Sequence, residues 1–546
     1  MIRFISKLSI LPSVSSGNSG NSIFLLLCHL VAQISFLTKK LSEVINENEQ
    51  LKSKLRLREA QLFGTKSEKQ NTSTNIDTNN KPTDQIESSS PQDNGCTTKP
   101  QSKARSRGGQ PGHKGYGRKL PRNLPVKQCV HEIPEQQRQC EICHAPFKEI
   151  PLTEPSYEVD VEIEYILTKH IRQKYKKTCN CPHPIITAPK PDQIIPKGKY
   201  TIGFWCKILI DKFLMQIPIH RQVFQMKLNN IRISKGTIFN GFKALSKYLL
   251  PLYEQFRTES QREHHHHADE TRWKVFTEIE GKKGFNWWLW VFVGKKVVFY
   301  IVDKTRSAKV PKQHLKDNIN RILSCDRYSA YKTLTDVVLA FCWSHVRRDF
   351  LTLITRYPHK KAIVLFAQQW LKWIGQLYAI NNERLKVRDD PEKFNIQQEK
   401  LETAMLKMQH RLTDNYALPE QQKVITSLTN HWQGLTLFVD NPDIPMDNNI
   451  AENMLRTPVV GRKNYYGNHS EFGGLFSAVM FTITQTCILH NINPDAYLKY
   501  YFTQCAKTGS APKNLKRFMP HRLKENCPKE LLIQSANWRK RCCYAL

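Results

Sequence analysis

Three carboxylates are candidates for metal-dependent chemistry: Asp269, Asp326 and Glu452. Asp269 lies at the start of a predicted strand, Asp326 directly follows another short apolar strand, and Glu452 lies on a late predicted helix. Hard cations such as Mg²⁺ and Mn²⁺ prefer oxygen ligands, and two such ions can activate an attacking oxygen and stabilise a leaving one. Because the chain has 48 acidic residues, spacing alone is weak support for such a site.

The surroundings of Glu452 favour chemistry on a phosphate backbone. Residues 445–474 are predicted to form an acidic turn capped by Asp447, a short helix and then a basic loop. Arg456, Arg462 and Lys463 are the candidate contacts to a DNA backbone. The alternative is a capped surface helix with an ordinary Glu452–Arg456 ion pair, followed by a solvated loop.

Two close cysteine pairs predict a structural zinc site. The four candidate ligands are Cys140, Cys143, Cys179 and Cys181. The first pair has the usual spacing of a zinc knuckle, whereas the second is one residue short, so a histidine could replace one sulfur. The histidines near these pairs are His131, His144 and His183. Residues 157–164, between the pairs, have the pattern of a strand, and free cysteines are the alternative interpretation.

The charge balance points to a polyanionic partner. The chain has 82 Lys and Arg residues against 48 Asp and Glu, a net charge of +34, which indicates nucleic acid more than an anionic membrane surface. No acidic residue lies between Asp93 and Glu132, and this stretch includes R-G-G-Q-P-G-H-K-G-Y-G-R-K. Its candidate phosphate contacts are Arg107, Lys114, Arg118 and Lys119. A solvated basic tether is the alternative.

Residues 30–62 carry a heptad repeat that predicts a coiled-coil homodimer. The a positions are Ile34, Leu41, Asn48, Leu55 and Leu62, and the d positions include Leu30, Leu37, Val44 and Leu51. A single asparagine at an a position fixes the register of a parallel two-stranded coil. The repeat argues against a signal peptide at residues 23–37, although an amphipathic helix packed on its own protein remains an alternative. Residues 67–106 have the composition of a flexible linker.

Residues 202–256 have a helical pattern that resembles a helix-turn-helix. Ser234 is predicted to cap the second helix, whose groove-reading residues would include Lys235, Thr237, Asn240 and Lys243. An ordinary helical hairpin is equally consistent with this pattern.

Three successive antiparallel strands are predicted from His267 onward, and a later strand runs into a helix that starts near Ser344. Residues 347–434 are then mostly helical. A mixed sheet followed by helices, with acids on two strands and a late helix, is how a ribonuclease-H-like core assembles its metal site. Tyr328 and Tyr331 are expected to pack beside Asp326 rather than to stack on a DNA base.

Several motifs, in order, resemble the DDE transposases of the insertion-sequence-66 family. They include H-A-D-E-T, D-R-Y-S-A-Y, C-W-S-H-V-R-R-D-F, D-N-N-I-A-E-N-M-L-R and G-R-K-N-Y-Y-G. The resemblance covers roughly residues 30–500 and implies an enzyme that cuts and joins the terminal inverted repeats of its own element and target DNA. It also implies that Asp269, Asp326 and Glu452 hold two Mg²⁺ (or Mn²⁺) ions, and that small accessory proteins of the element take part.

Three features depart from the pattern of the family. Asn453 stands where the family usually has Arg, the Cys179-x-Cys181 pair is tighter than usual, and the tail after residue 505 has no counterpart. The motif Cys342-x2-His345 could be half of a metal site, but the resemblance suggests a structural or phosphate-near role together with Arg347 and Arg348.

The predicted fold class is multidomain α+β, with a ribonuclease-H-like α/β core that carries a helical insertion. The domains are a coiled coil (1–66), a basic linker (67–128), a zinc-binding domain (129–195), a helix-turn-helix-like DNA-binding domain (196–260), the catalytic core (261–345 and 435–505), the insertion (346–434) and a basic tail (506–546). The expected location is the cytoplasm, at the nucleoid, with no membrane partner. A catalytically inactive DNA-binding regulator of the element is the alternative function.

Overall fold

The computed structural model describes residues 19–63, 126–134, 137–139, 141–148, 156–161, 164–176, 178, 185–278, 284–315, 321–523 and 531–533. They fall into two units, residues 68–171 and the remainder of the chain, which are described separately. Seven predicted site residues lie outside the described residues: Arg107, Lys114, Arg118, Lys119, Cys140, Cys179 and Cys181.

In the unit formed by residues 68–171, a bridge between Gln139 and Pro146 closes a turn that carries the exposed Cys143. The strand predicted at residues 157–164 is absent from the described part of that segment, residues 157–161 and 164, so this prediction is wrong there. Nothing in these residues tests the zinc site, because three of its four cysteines are not described.

A long helix, α1 (Ser19–Phe63), begins the other unit. Its a and d side chains from Leu30 to Leu55 are exposed to solvent, as the heptad pattern allows. The opposite face contacts the body of the protein: Glu49 pairs with Lys360 at 2.9 Å, and the Arg56 guanidinium donates to the backbone carbonyl of Arg356. The helix therefore docks through residues outside the seam and leaves the seam free.

Two short strands and three helices follow: β1 (Lys174–Tyr175), β2 (Ile186–Thr187), α2 (Ile202–Phe213), α3 (Ile219–Leu228) and α4 (Lys235–Gln261). The predicted break between α3 and α4 is confirmed. Ser234 caps α4, since its hydroxyl oxygen accepts the backbone N–H of Thr237 at 3.0 Å.

The central sheet is mixed. Its strands are β3 (His265–Val275), β4 (Asn286–Val293), β5 (Val298–Asp303), β6 (Arg321–Cys325) and β7 (Val337–Phe341), with helix α5 (Lys309–His314) between β5 and β6. The strand order is β5-β4-β3-β6-β7. The three predicted antiparallel strands are confirmed as β3, β4 and β5, whereas β6 runs parallel to β3 and β7 parallel to β6.

Helices make up most of the remaining chain. They are α6 (Trp343–Arg356), α7 (Lys361–Lys386), α8 (Pro391–Arg411), α9 (Pro419–Asn430), α10 (Trp432–Asp440), α11 (Asn449–Tyr465), α12 (Glu471–Leu489), α13 (Pro494–Thr508) and α14 (Pro520–Leu523), with a short strand β8 (Gly467–Asn468) that pairs with β3. Helices α6 to α10 share a hydrophobic core centred on Trp343 and Trp370. The chain is thus a mixed α+β protein.

Helix α12 is the core helix that supports the sheet. The hydroxyls of Thr482 and Thr486 accept backbone N–H groups of Tyr300 and Val298 on β5. Within the described residues it is the one helix long and apolar enough to cross a bilayer, and 78% of its apolar window is buried inside the protein. Packing against the sheet accounts for its apolar composition.

Two predictions about local structure near the candidate site are wrong. Asp269 lies in the middle of β3 rather than at its start, because the preceding histidines already pair with β4 and β6. The predicted basic loop is helical, since α11 continues to Tyr465 and carries Arg462 and Lys463 in its last turn. Gly461, within this helix, is buried so closely against Gln216 that a side chain at this position would overlap the glutamine.

Candidate functional site

Asp269 and Asp326 come from neighbouring parallel strands. The parallel register of β3 and β6 pairs His267 with Ser324. Two residues further along each strand, Asp269 and Asp326 are at corresponding positions. Neighbouring strands are about 4.8 Å apart, and residues in step on parallel strands face the same side of the sheet. The structure therefore brings these two carboxylates together at the carboxyl end of β6.

Glu452 reaches the same place on the first turn of α11. The start of this helix is tied to β3 by Asn448, which is 1% exposed. Its side-chain amide donates to the carbonyl of Ala268 at 2.7 Å, and its Oδ1 lies 3.1 Å from Nδ1 of His267. The helix that carries Glu452 is thus fixed to the residue beside Asp269.

The electrostatics of the three carboxylates fit a bound cation. Burial raises the pKa of Asp269 to about 8, and the negative charges of Glu270, Glu452 and Asp326 add to this effect. The Oε1 atom of Glu452 is buried without a hydrogen-bond partner. A divalent cation would remove both penalties by supplying positive charge and a ligand bond, so the donor set is suited to Mg²⁺ or Mn²⁺.

Glu452 also lies within a second group of ligating atoms. Cys342, His345 and Glu452 each contribute one ligand atom, and these three atoms lie within 4.8 Å of one another. Nε2 of His345 is 3.7 Å from Oε1 of Glu452, and the Arg348 guanidinium is 3.5 Å from Oε2. Glu452 thus contacts Arg348 rather than Arg456, its partner in the alternative interpretation of this helix, and Arg456 is exposed.

Glu270 faces the opposite side of the sheet from Asp269, as alternation along a strand requires. Its carboxylate accepts hydrogen bonds from Arg306 at 2.9 Å and from the Tyr331 hydroxyl at 2.5 Å. Tyr331 is fully buried, and the Tyr328 ring lies under the Arg306 guanidinium. Both tyrosines therefore pack in the protein, and this cluster supports β3 directly beneath Asp269.

The last turn of α11 carries two predicted DNA contacts, Arg462 and Lys463, whose surroundings differ. Arg462 donates to Thr271 Oγ1 at 3.1 Å and to the backbone carbonyl of Arg272, so its guanidinium holds the helix against β3. Lys463 is exposed. Tyr465 Oη donates to Oε1 of Gln216 at 2.8 Å, which fixes this end of the helix to the loop after α2.

The amino-terminal half of α4 presents the residues predicted to read DNA. All four of them are exposed: Lys235, Thr237, Asn240 and Lys243. Between Asp211 and Glu254 the sequence has no acidic residue. The lysines of this part of α4 therefore have no acidic residue close to them in sequence.

Sequence reasoning missed Asn448 as a buried link, and it missed Glu452 as a partner of Cys342 and His345. The motif D-N-N was read as a turn and cap, and Asp447 Oδ1 does accept the N–H of Asn449 at 3.1 Å. The bonds of Asn448 to β3 had no local signal, because their partners are 180 and 181 residues away. Cys342 and His345 were visible as a motif but lacked a third ligand.

Comparison with known proteins agrees with the motifs. The uncharacterized protein y4jD of Sinorhizobium fredii is 25% identical over 426 residues, which cover 73% of this chain and 81% of that protein. The uncharacterized protein y4hP of the same organism is 25% identical over 374 residues, covering 64% of this chain and 66% of that protein. No solved structure matches at a comparable level of significance. The model of the Transposase IS66 family matches residues 197–475, just over half of the chain and all of the site described above, and the chain therefore belongs to the IS66 transposase family.

Proposed function

We propose that this protein is a DNA transposase that binds the terminal inverted repeats of its own insertion sequence and catalyses metal-dependent strand cleavage and strand transfer. The observation that carries the proposal is the convergence of Asp269, Asp326 and Glu452, from β3, the end of β6 and α11, into one electrostatically coupled cluster. The family to which the chain belongs supports the same conclusion.

The arrangement of the sheet supports a ribonuclease-H-like catalytic core. Three antiparallel strands are followed by two strands that run parallel to the first, in the order β5-β4-β3-β6-β7. The helices α6 to α10 lie between β7 and the helix that carries Glu452, which is where the proposed insertion falls. Such a core delivers acids from the centre of the sheet and from a late helix to one place.

Asp269, Asp326 and Glu452 would hold the divalent ions, Mg²⁺ or Mn²⁺. When bound, two ions supply activation of the attacking oxygen and stabilisation of the leaving oxygen in phosphodiester cleavage. The protein's own part is to hold the carboxylates in place, through Asn448 above the sheet and the Glu270–Arg306–Tyr331 cluster below it. Arg348, exposed beside Glu452, is in position to contact a phosphate of the bound strand.

DNA contacts are proposed at several basic surfaces. Lys235 and Lys243 on α4 would enter or flank a groove, while Arg456 and Lys463 on α11 would contact the backbone. The basic linker residues Arg107, Lys114, Arg118 and Lys119 would add affinity that does not depend on sequence. A separate structural zinc domain is proposed at Cys140, Cys143, Cys179 and Cys181, with a histidine as the alternative to one sulfur of the second pair.

A homodimer through α1 is part of the proposal. The exposed a and d side chains run from Leu30 to Leu55 and include Asn48. A seam of this length is an unusual apolar exposure unless a second copy covers it. Accessory proteins of the element and a cytoplasmic, nucleoid-associated location belong to the same proposal.

The test is a strand cleavage and joining assay with Mg²⁺ or Mn²⁺, comparing DNA that ends in the inverted repeats of the element with scrambled ends. The proposal predicts cleavage and joining at the repeat ends only. Binding of the repeat DNA without cleavage would favour the alternative, a catalytically inactive regulator of the element. Equal cleavage of both substrates would instead indicate a general nuclease.

A further inference from the structure

The cluster of Cys342, His345 and Glu452 is a ligand set of a different chemical kind from the three carboxylates. A thiol and an imidazole are ligands for zinc and other borderline-soft ions, whereas Mg²⁺ prefers a shell of oxygens. Glu452 belongs to both sets. Glu452 can therefore ligate either Mg²⁺ together with the two aspartates or a softer ion together with Cys342 and His345.

The distance between the nitrogen and oxygen ligands fits one ion. A tetrahedral zinc ion with bonds of about 2.0–2.3 Å holds its ligand atoms roughly 3.3–3.8 Å apart. Nε2 of His345 and Oε1 of Glu452 are 3.7 Å apart, too far for a hydrogen bond but suitable for two ligands of the same ion. The sulfur of Cys342 completes a set in which every pair of ligand atoms is within 4.8 Å.

The surroundings prepare the cluster for a cation. Oε1 of Glu452, the oxygen that faces His345, is buried and lacks a hydrogen-bond partner. The sulfur of Cys342 accepts the backbone N–H of Asn448 at 3.1 Å, a bond that stabilises a thiolate and orients it. Cys342 is the residue directly before α6 and His345 lies on its first turn, so the start of this helix fixes their spacing.

We propose that Cys342, His345 and Glu452 form a zinc site that competes with the catalytic divalent-ion site for Glu452. Zinc binding releases the thiol proton of Cys342 to solvent and engages Oε1 of Glu452, the oxygen that faces His345, so this oxygen is no longer available to the catalytic ions. Zinc is then an inhibitor that holds the enzyme in an inactive state. The inference rests on the proposed function for its consequence, but zinc binding itself does not depend on catalysis.

Cobalt(II), which replaces zinc and reports thiolate ligands by a charge-transfer band, tests the site in the full-length protein. Wild type is expected to bind one more thiolate-ligated cobalt equivalent than Cys342→Ser. Cys505→Ser, which removes a buried thiol far from the cluster in sequence, should retain this equivalent. Glu452→Gln should keep the charge-transfer band but bind cobalt at least about tenfold more weakly.

Equal cobalt stoichiometry and spectra in wild type and Cys342→Ser would overturn the zinc site. Competition is measured separately, without DNA, from the electron paramagnetic resonance signal of free Mn²⁺. Added Zn²⁺ should release bound Mn²⁺ from wild type at lower Zn²⁺ concentrations than from Cys342→Ser, in which Zn²⁺ can compete only at the three carboxylates themselves. The same dependence of release on Zn²⁺ concentration in both proteins would refute the shared ligand. Absence of DNA cleavage by a protein that passes both tests would count against the proposed function alone.

Discussion

The side-chain amide of Asn448 donates a 2.7 Å hydrogen bond to the backbone carbonyl of Ala268, which connects the start of α11 to the strand residue next to Asp269. Glu452 lies one helical turn after Asn448, so this bond sets the distance between two of the three candidate metal ligands. Both residues are buried, so their polar groups cannot exchange this bond for one to water.

Asn448→Ala should separate positioning from DNA binding. The substitution leaves the Ala268 carbonyl and the His267 ring without their partner, which costs about 1–3 kcal/mol of stability. Because Glu452 is then less well held, strand cleavage should fall by roughly 10–100-fold, whereas affinity for terminal-repeat DNA should change little. Asn449→Ala, at the exposed neighbouring residue, is the matched control. Wild-type cleavage rates in Asn448→Ala would show that the bond does not position the site.

The seam of α1 predicts the oligomeric state. Leu41→Asp places a charge at an a position and should convert a dimer into a monomer in light scattering, because a seam carboxylate would be buried without a partner. Ser42→Asp adds the same charge outside the seam and should remain dimeric. Asn48→Val should disturb the register and the number of chains. A monomeric wild-type protein in light scattering would contradict the predicted coiled-coil dimer.

Alanine substitutions of the adjacent residues Lys463 and Arg462 should affect different properties of the protein. Lys463→Ala should weaken DNA binding regardless of sequence and reduce the slope of log affinity against log salt by about 1, as expected for one phosphate contact. Arg462→Ala should instead lower stability, since its guanidinium bonds Thr271 and the Arg272 carbonyl. Lys507→Ala, exposed on α13, controls for loss of charge. An unchanged salt slope in Lys463→Ala would remove that residue from the interface.

Glu263 predicts a dependence of stability on pH. Its buried carboxyl accepts the N–H groups of Lys296 and Val297, and burial raises its pKa from 4.5 to about 7. The folded protein thus holds this proton more tightly than the unfolded chain. Stability should therefore fall by about 1.4 kcal/mol per pH unit between these two pKa values and level off above the higher one.

The measurement is urea unfolding of wild type, Glu263→Gln and the exposed control Glu254→Gln at pH 5 and pH 7. The neutral amide cannot ionise, so the difference between wild type and Glu263→Gln should shift by up to about 3 kcal/mol between the two pH values. Glu254→Gln should follow wild type. An equal change in the free energy of unfolding between pH 5 and pH 7 in all three proteins would contradict the raised pKa of Glu263.

Local features of the site were predictable from the sequence, and its long-range contacts were not. Ser234 has a capping side chain followed by a helical pattern, and Asp326 follows a short apolar run, so both positions were expected. The continuation of α11 to Tyr465 was not expected. Its buried face at Leu455, Pro458 and Gly461 packs on the protein, and this packing overrides the local tendency to end the helix.

The partners of charged and polar side chains near the site were equally hidden. The alternative interpretation of α11 paired Glu452 with Arg456 one turn along its own helix, but Glu452 contacts Arg348 on α6. Arg462 was expected to face DNA, yet its guanidinium bonds β3. A sequence pattern reports neighbours along one element, whereas these contacts join residues more than 100 positions apart.

The most direct test of the central claim compares strand cleavage and joining by wild type with Asp269→Asn, Asp326→Asn and Glu452→Gln on terminal-repeat DNA with Mg²⁺. Each substitution keeps the size of the side chain and removes one negative ligand. All three should lose more than about a thousandfold in rate while still binding the DNA, as groups that act as a unit do. Glu471→Gln, an exposed carboxylate at the start of α12, should remain active. Cleavage and joining by Glu452→Gln at the wild-type rate would contradict the account.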